Sequence, residues 1–298
     1  MAELPRKAKV VIVGGGVIGC SIAYHLTKIG WDDVVLLERK QLTSGTTWHA
    51  AGLVGQLRPS INMTKLAKYT GELYRGLEAE TGQATGYRQC GSISMATNQE
   101  RFEELKRSAS MAKVFDLPVH VVTPDEIKAL ASIVNIDDVV GGIHIPSDGY
   151  ANAVDITQAL ARGARTGGAR IFENTKVIKI RHDGDRVTGV DTDDGSIDAD
   201  FVVICGGMWT RDLAASVGVA APRSEPNGAV PPVRVIRNRS GWPSCSALAA
   251  RVSATACRRS VSVGASSPRP YAEAASLLRC RERAKGTPPT TLTVSKTP

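Results

Sequence analysis

The feature that most constrains this chain is the run Lys9-Val10-Val11-Ile12-Val13-Gly14-Gly15-Gly16-Val17-Ile18-Gly19, followed nineteen residues after Gly19 by an acid, Glu38. A short apolar strand that must turn sharply into a helix needs glycine at three places. Gly14 allows the turn, Gly16 lets the backbone approach a pyrophosphate, and Gly19 lets helix and strand pack closely. From Val17 onward Ile18, Ile22, Leu26 and Ile29 recur at helical spacing, and Gly30 is placed to end the helix. Phosphates sit on the free N–H groups and the positive dipole end of such a helix. A second apolar run, Val34 to Leu37, ends at Glu38, whose carboxylate can accept hydrogen bonds from ribose hydroxyls and argues against a 2′-phosphate. Strand, turn, helix and acid together predict a dinucleotide site, although glycines alone do not separate NAD from FAD.

Beyond this unit, helices and strands alternate. Leu66, Tyr69, Leu73 and Leu77 share a face and predict a helix over 62–81; residues 91–97 read as a strand, and 99–115 as a helix through Phe102, Leu105 and Ala112. Thr123-Pro124-Asp125-Glu126 starts a helix reaching Leu130, with a capping threonine, proline at the first helical position and an acid three residues on. Residues 141–146 read as a strand, the Asp148-Gly149 turn leads to a helix over 154–166, and 169–172 reads as a strand. Hairpin segments follow at 175–181, 186–192 and 201–205, separated by turns at 183–185 and 193–195. Helix-linked strands followed by a small meander predict an α/β fold: a Rossmann-like parallel sheet with an antiparallel β insert and part of an α+β substrate domain. Gly206-Gly207 either lets the backbone approach a bound cofactor or forms an ordinary loop.

The net charge of +8 would ordinarily point to nucleic acid, but its distribution does not. Residues 223–298 carry eleven Arg and two Lys against three Glu, a net of +10, which leaves 24 basic and 26 acidic groups, or −2, for residues 1–222. Nine of the fifteen prolines also fall in these last 76 residues, with one Ile, no Phe and no Asp. Such a segment has too little apolar surface to offset its ordering entropy, so 1–222 reads as the folded oxidoreductase portion and 223–298 as a disordered tail. The Arg, Ala, Pro and Ser bias is what a GC-rich gene gives when read out of frame, which suggests a frameshift near residue 222; a genuine basic tail is the other reading. No apolar stretch approaches the length needed to span a bilayer. The first strand begins within about eight residues of Met1, leaving no room for a targeting peptide ahead of the fold, so a cytoplasmic protein is expected.

The six cysteines form no CxxC and no ligand spacing, so neither a metal site nor a disulfide framework is expected. Cys20 and Cys205 read as buried small hydrophobes. On spacing alone, His49, in a loop of small residues after the second strand, is more often a polar loop residue than a catalyst.

Residues 9 to about 222 resemble the N-terminal flavin portion of the sarcosine and dimethylglycine dehydrogenase family, within the D-amino-acid-oxidase-like flavoproteins. The resemblance rests on Gly14 to Gly19, Leu36-Leu37-Glu38-Arg39, the segment Leu42 to Leu53 with Thr47-Trp48-His49 at its centre, Gln56-Leu57-Arg58-Pro59-Ser60, and Cys205-Gly206-Gly207-Met208-Trp209. It implies FAD, joined covalently through His49. It places Val17 and Ile18 at the pyrophosphate turn and Glu38 with Arg39 at the adenosine ribose. Gly45, Thr46, Thr47, Trp48, His49, Ala50, Ala51, Gly52 and Leu53 would line the flavin, Val177 would meet the adenine through its backbone, and Trp209 would lie near the cofactor.

The implied chemistry is oxidative demethylation of a small N-methylated amine. A hydride passes from the N-methyl carbon to the flavin, and the resulting iminium yields formaldehyde or passes to tetrahydrofolate. Electrons leave through an electron-transfer flavoprotein. The motif form lies closer to sarcosine than to dimethylglycine dehydrogenases. The family's further substrate strands and folate-binding region are not recognisable after Pro222, and no catalytic residue is assignable. Arg58 and Arg88 are cationic candidates for holding a substrate carboxylate, with surface or structural roles as the other reading. The remaining alternatives are a truncated, non-catalytic product that folds in part, and an NAD-linked Rossmann enzyme.

Overall fold

Parallel strands buried on both faces read as continuous apolar runs, and that is the pattern of the first two strands. In this computed structural model, which describes residues 3–184, 186–219 and the backbone of 234–237, the opening unit is β1 (Lys7–Val13), α1 (Val17–Lys28) and β2 (Val34–Leu37). All four residues of β2 and the last four of β1 are buried. A middle portion follows: β3 (Leu53–Val54), α2 (Ile61–Thr81), β4 (Arg88–Gln89), β5 (Ser92–Ala96), α3 (Gln99–Val114), β6 (His120–Val122), α4 (Pro124–Leu130), β7 (Gly141–Ile145) and β8 (Gly149–Tyr150). The chain then returns through α5 (Ala153–Thr166), β9 (Arg170–Phe172), β10 (Val177–Asp183), β11 (Arg186–Thr192), β12 (Gly195–Ile204), α6 (Thr210–Ala215) and β13 (Arg234–Arg237).

The main sheet runs β10-β11-β12-β1-β2-β9, with β13 added beside β12. Its centre, β9-β2-β1-β12, is parallel, and β10 and β11 extend it as the expected antiparallel meander. The long strand β12 joins the two halves. Gly195–Asp198 pairs antiparallel with β11, and Asp198–Ile204 pairs parallel with β1. The sequence reading began this strand only at residue 201. Its first half alternates exposed and buried residues because one face is open, and only its second half is continuously buried. One face of the sheet carries the cluster of Val11, Val13, Val35, Leu37, Ile180, Val190, Val202 and Ile204.

The middle portion builds two small antiparallel sheets, β3-β8-β4 and β5-β7-β6. At α4 the expected start is present in full: Thr123 Oγ1 accepts from Glu126 N–H at 3.3 Å, and Glu126 Oε2 accepts from Thr123 N–H at 2.7 Å. One expectation fails at α2, where Leu66 is 59% exposed rather than sharing the buried face of Leu77. The second half of this helix is the part held to its neighbours. Tyr69 meets His25, and Glu80 meets Lys28 and Tyr24, while Ile61, Met63 and Leu66 stand clear. Apart from β13, which pairs antiparallel with the second half of β12, the expected tail and the suggested frameshift lie outside the described residues.

Candidate functional site

A cleft of about 500 Å³ opens where β1, β2 and β12 end, at the carboxyl ends of the parallel strands, the usual ligand position in such sheets. Gly14, Gly16, Glu38, Arg39, Gly45, Thr46, Thr47, Val177 and Trp209 all line it, so four distant stretches of sequence meet there. Two glycines are required for reasons the structure makes concrete. Gly14 has φ +113°, and a Cβ on it would lie 2.4 Å from the Cys205 carbonyl oxygen; a Cβ on Gly19 would lie 1.9 Å from the Gly14 carbonyl oxygen. These contacts seat α1 against the sheet with its first turn, Val17 to Gly19, beside the cleft.

The N-terminus of α1 has no side-chain cap from Gly16 and no acid in its first turn. Val17 N–H donates to Thr47 Oγ1 at 3.1 Å, which ties the helix start to the turn Thr47–His49. Glu38 is buried, and its carboxylate accepts from Gly15 N–H at 2.7 Å and from Lys40 N–H at 3.0 Å. It braces the glycine turn, and each oxygen retains further acceptor capacity. Arg39 stacks its guanidinium 4.0 Å from the centre of the Trp209 ring, forming one wall.

Cys20 and Cys205 are both raised to about 12 by burial, so these thiols stay protonated near neutral pH and are poor nucleophiles. Cys205 does more than fill space, because it lines the cleft just after β12 together with Gly206 and Gly207.

The segment after Thr47 leaves the cleft. His49 is exposed with its ring 3.7 Å from that of Trp48, and Trp48, Ala50 and Ala51 line a second hollow of about 660 Å³ with Arg88 and Tyr150. Gly52 and Leu53 pass into β3, where Leu53 is 82% exposed. The stretch Gln56 to Ser60 has a structural part in holding the chain. Gln56 N–H donates to buried Asp148 Oδ1 at 2.8 Å, its amide donates to the Ser147 carbonyl at 2.6 Å, and Ser60 caps α2.

Thr175, Lys176 and Ile178 beside Val177, and Asp212, Leu213 and Ser216 on or next to α6, also line the cleft and were not anticipated. A six-residue helix leaves almost no periodic signal in a sequence.

Residues 9–252 match the family model of the FAD dependent oxidoreductases. The chain belongs to this family. Human mitochondrial sarcosine dehydrogenase is 43% identical over 225 residues, 74% of this chain and 24% of that protein. The mouse mitochondrial pyruvate dehydrogenase phosphatase regulatory subunit is 41% identical over 213 residues, 72% of this chain and 24% of its own length. The chain thus spans about a quarter of these curated relatives. Among solved structures, L-proline dehydrogenase from P. horikoshii aligns with TM-score 0.70 and 27% identity, over 74% of this chain and 58% of that one.

The cleft fits the family's cofactor. The α1 N-terminus and the Cβ-free Gly16 offer a place for phosphates, Glu38 offers acceptors for ribose, and the volume lies in the range of small-molecule sites. Among the described residues no helix is long and apolar enough to cross a membrane, and no group of three or more His, Cys, Asp or Glu could hold a metal ion.

Proposed function

We propose that this chain is the flavin-holding portion of a sarcosine-type amine dehydrogenase, with FAD in the first cleft and His49 as its covalent attachment. The observation that carries the reading is the convergence of Gly14, Glu38, Thr47, Val177 and Trp209 on one cleft at the strand ends. FAD, when bound, supplies the two-electron oxidation of an amine carbon. The protein's own groups bind and orient: the first turn of α1 takes the pyrophosphate, Glu38 and Arg39 the ribose, and the backbone at Val177 the adenine. His49 is exposed at the far end of the same turn, where its ring nitrogens are open to attachment. The substrate is a small N-methylated amino acid, and an electron-transfer flavoprotein takes the electrons. Tetrahydrofolate belongs to a region that this reading does not assign to the chain. Membership of an FAD family favours flavin over NAD.

The test is acid precipitation of the chain after expression with FAD. Yellow colour should stay in the wild-type pellet and move to the supernatant for His49→Ala, while the native variant still binds FAD. Flavin released from wild type refutes the covalent link. A second reading, a flavin-holding chain without turnover, is favoured by the likeness to a regulatory subunit at 41% identity. Formaldehyde release from sarcosine with an artificial electron acceptor decides between the two.

A further inference from the structure

The two cationic candidates part company in the structure. Arg58 is exposed before α2 and lines neither hollow, whereas Arg88 lines the second one. Arg88 lies directly opposite Tyr150 across the β4–β8 pairing, and Tyr150 lies opposite Leu53 across β8–β3. Directly paired residues of antiparallel strands share a face, so Leu53, Tyr150 and Arg88 form one row. The row is open, with Leu53 82% and Tyr150 43% exposed, and Trp48 of the same hollow is 57% exposed.

The start of α5 lines this hollow too, and its third residue is Asp155. A carboxylate is favoured there by the helix dipole. Among the described residues the side chains of Arg88 and Asp155 have no ion pair or hydrogen bond. Other arginines of the fold are engaged: Arg75 donates to Gln89, Arg162 to the Gly82 carbonyl, and Arg181 to Asp198. An uncompensated cation and an uncompensated anion, set in one hollow with two aromatic rings, suit a ligand that carries both charges. Guanidinium takes a carboxylate through two parallel hydrogen bonds, and a protonated amine is held by a carboxylate and by aromatic faces.

Position adds to the chemistry. Thr46 and Thr47 line the cofactor cleft while Trp48, Ala50 and Ala51 line this hollow, so the two sites share one short stretch of chain. We propose that the second hollow is the amino-acid subsite, where a zwitterion binds by its carboxylate at Arg88 and by its amine at Asp155. The identity of the amino acid as an N-methylated one rests on the function proposed above.

Isothermal titration calorimetry on the full chain, expressed with FAD, tests this with sarcosine, acetate and methylammonium as probes. Sarcosine should bind wild type, and Arg88→Gln should weaken it by about ten- to a hundred-fold, the size of losing charge-assisted hydrogen bonds. Arg88→Lys should restore part of the loss. Asp155→Asn should weaken sarcosine and methylammonium but leave acetate unchanged, and FAD content should be the same in all variants. Equal sarcosine affinity in wild type, Arg88→Gln and Asp155→Asn overturns the subsite, as does wild type that binds no sarcosine. Turnover of sarcosine with KM unchanged in Arg88→Gln overturns the subsite and leaves the proposed function standing. Arg88-dependent binding by a chain that neither holds FAD nor turns over supports the subsite and refutes the function.

Discussion

Gly19→Ala sets two effects of opposite sign against each other. Gly19 lies in the first turn of α1 and has no positive φ, so helix propensity alone favours alanine by up to about 1 kcal/mol. Against this, the added Cβ would stand 1.9 Å from the Gly14 carbonyl oxygen and 3.1 Å from its carbon. Non-bonded carbon and oxygen approach to about 3.3 Å, so the helix would have to retreat by more than about 1 Å. The obstructing atom cannot swing away as a side chain would. Gly14 N–H is held by the Leu37 carbonyl at 2.8 Å, and its Cα faces the Cys205 carbonyl. Overpacking of this kind costs about 1–3 kcal/mol and more when backbone must move, so the clash exceeds the propensity gain and a net loss of about 1–2 kcal/mol is expected. For a domain of this size that lowers Tm by about 2–8 °C. FAD affinity should fall with it, because the displaced helix carries the phosphate-facing N–H groups. Gly76→Ala, in α2 with nothing within 4 Å of the added Cβ, should instead gain about 0.5–1 kcal/mol. Urea unfolding followed by far-UV circular dichroism reads both. If Gly19→Ala matches or exceeds wild type in stability, the close seating of α1 on the glycine turn is wrong.

Thr123→Ala removes the reciprocal cap of α4 and should cost about 1 kcal/mol, seen as faster amide exchange over 124–130 with little change elsewhere; unchanged protection there would show that the cap contributes nothing. Burial lowers the pKa of His25 below its usual 6.5, against the smaller opposing influence of its hydrogen bond to the Ser21 carbonyl. The unfolded chain therefore takes up this proton first, so the stability contribution is complete above about pH 6.5 and is lost as pH falls below it, by at most about 1.4 kcal/mol per pH unit. Urea midpoints from pH 8 to pH 5 should fall more steeply for wild type than for His25→Gln, and parallel curves would discount the effect.

The parts of the fold that can be read from the sequence are those whose causes lie close together in the chain. β1, the glycine turn, α1 and β2 are specified within about thirty residues, and α4 carries its whole start signal in Thr123 to Glu126. Where pairing partners are distant, the signal fades. The strands β3, β4 and β8 have two residues each and exist only because Leu53 and Arg88 both reach Tyr150. Leu66 continues an apolar spacing that α2 does not use, because only the later turns of that helix meet α1.

The same rule separates the two sites. Each residue of the cofactor cleft at the strand ends carries a local reason to be there: a turn glycine, a strand-end acid or a threonine facing the helix start. For the second hollow the decisive fact is that β4, β8 and the start of α5 come together behind Trp48, a juxtaposition of segments about a hundred residues apart. The turn Thr47–His49 belongs to both, since Thr47 accepts from the α1 N-terminus while Trp48 faces Arg88's hollow. Neighbouring residues on a tight turn cannot move independently, so any group that displaces this turn from one side is felt on the other. That coupling gives the chain a direct route by which occupancy of the cofactor cleft shapes the hollow that we assign to the amino acid.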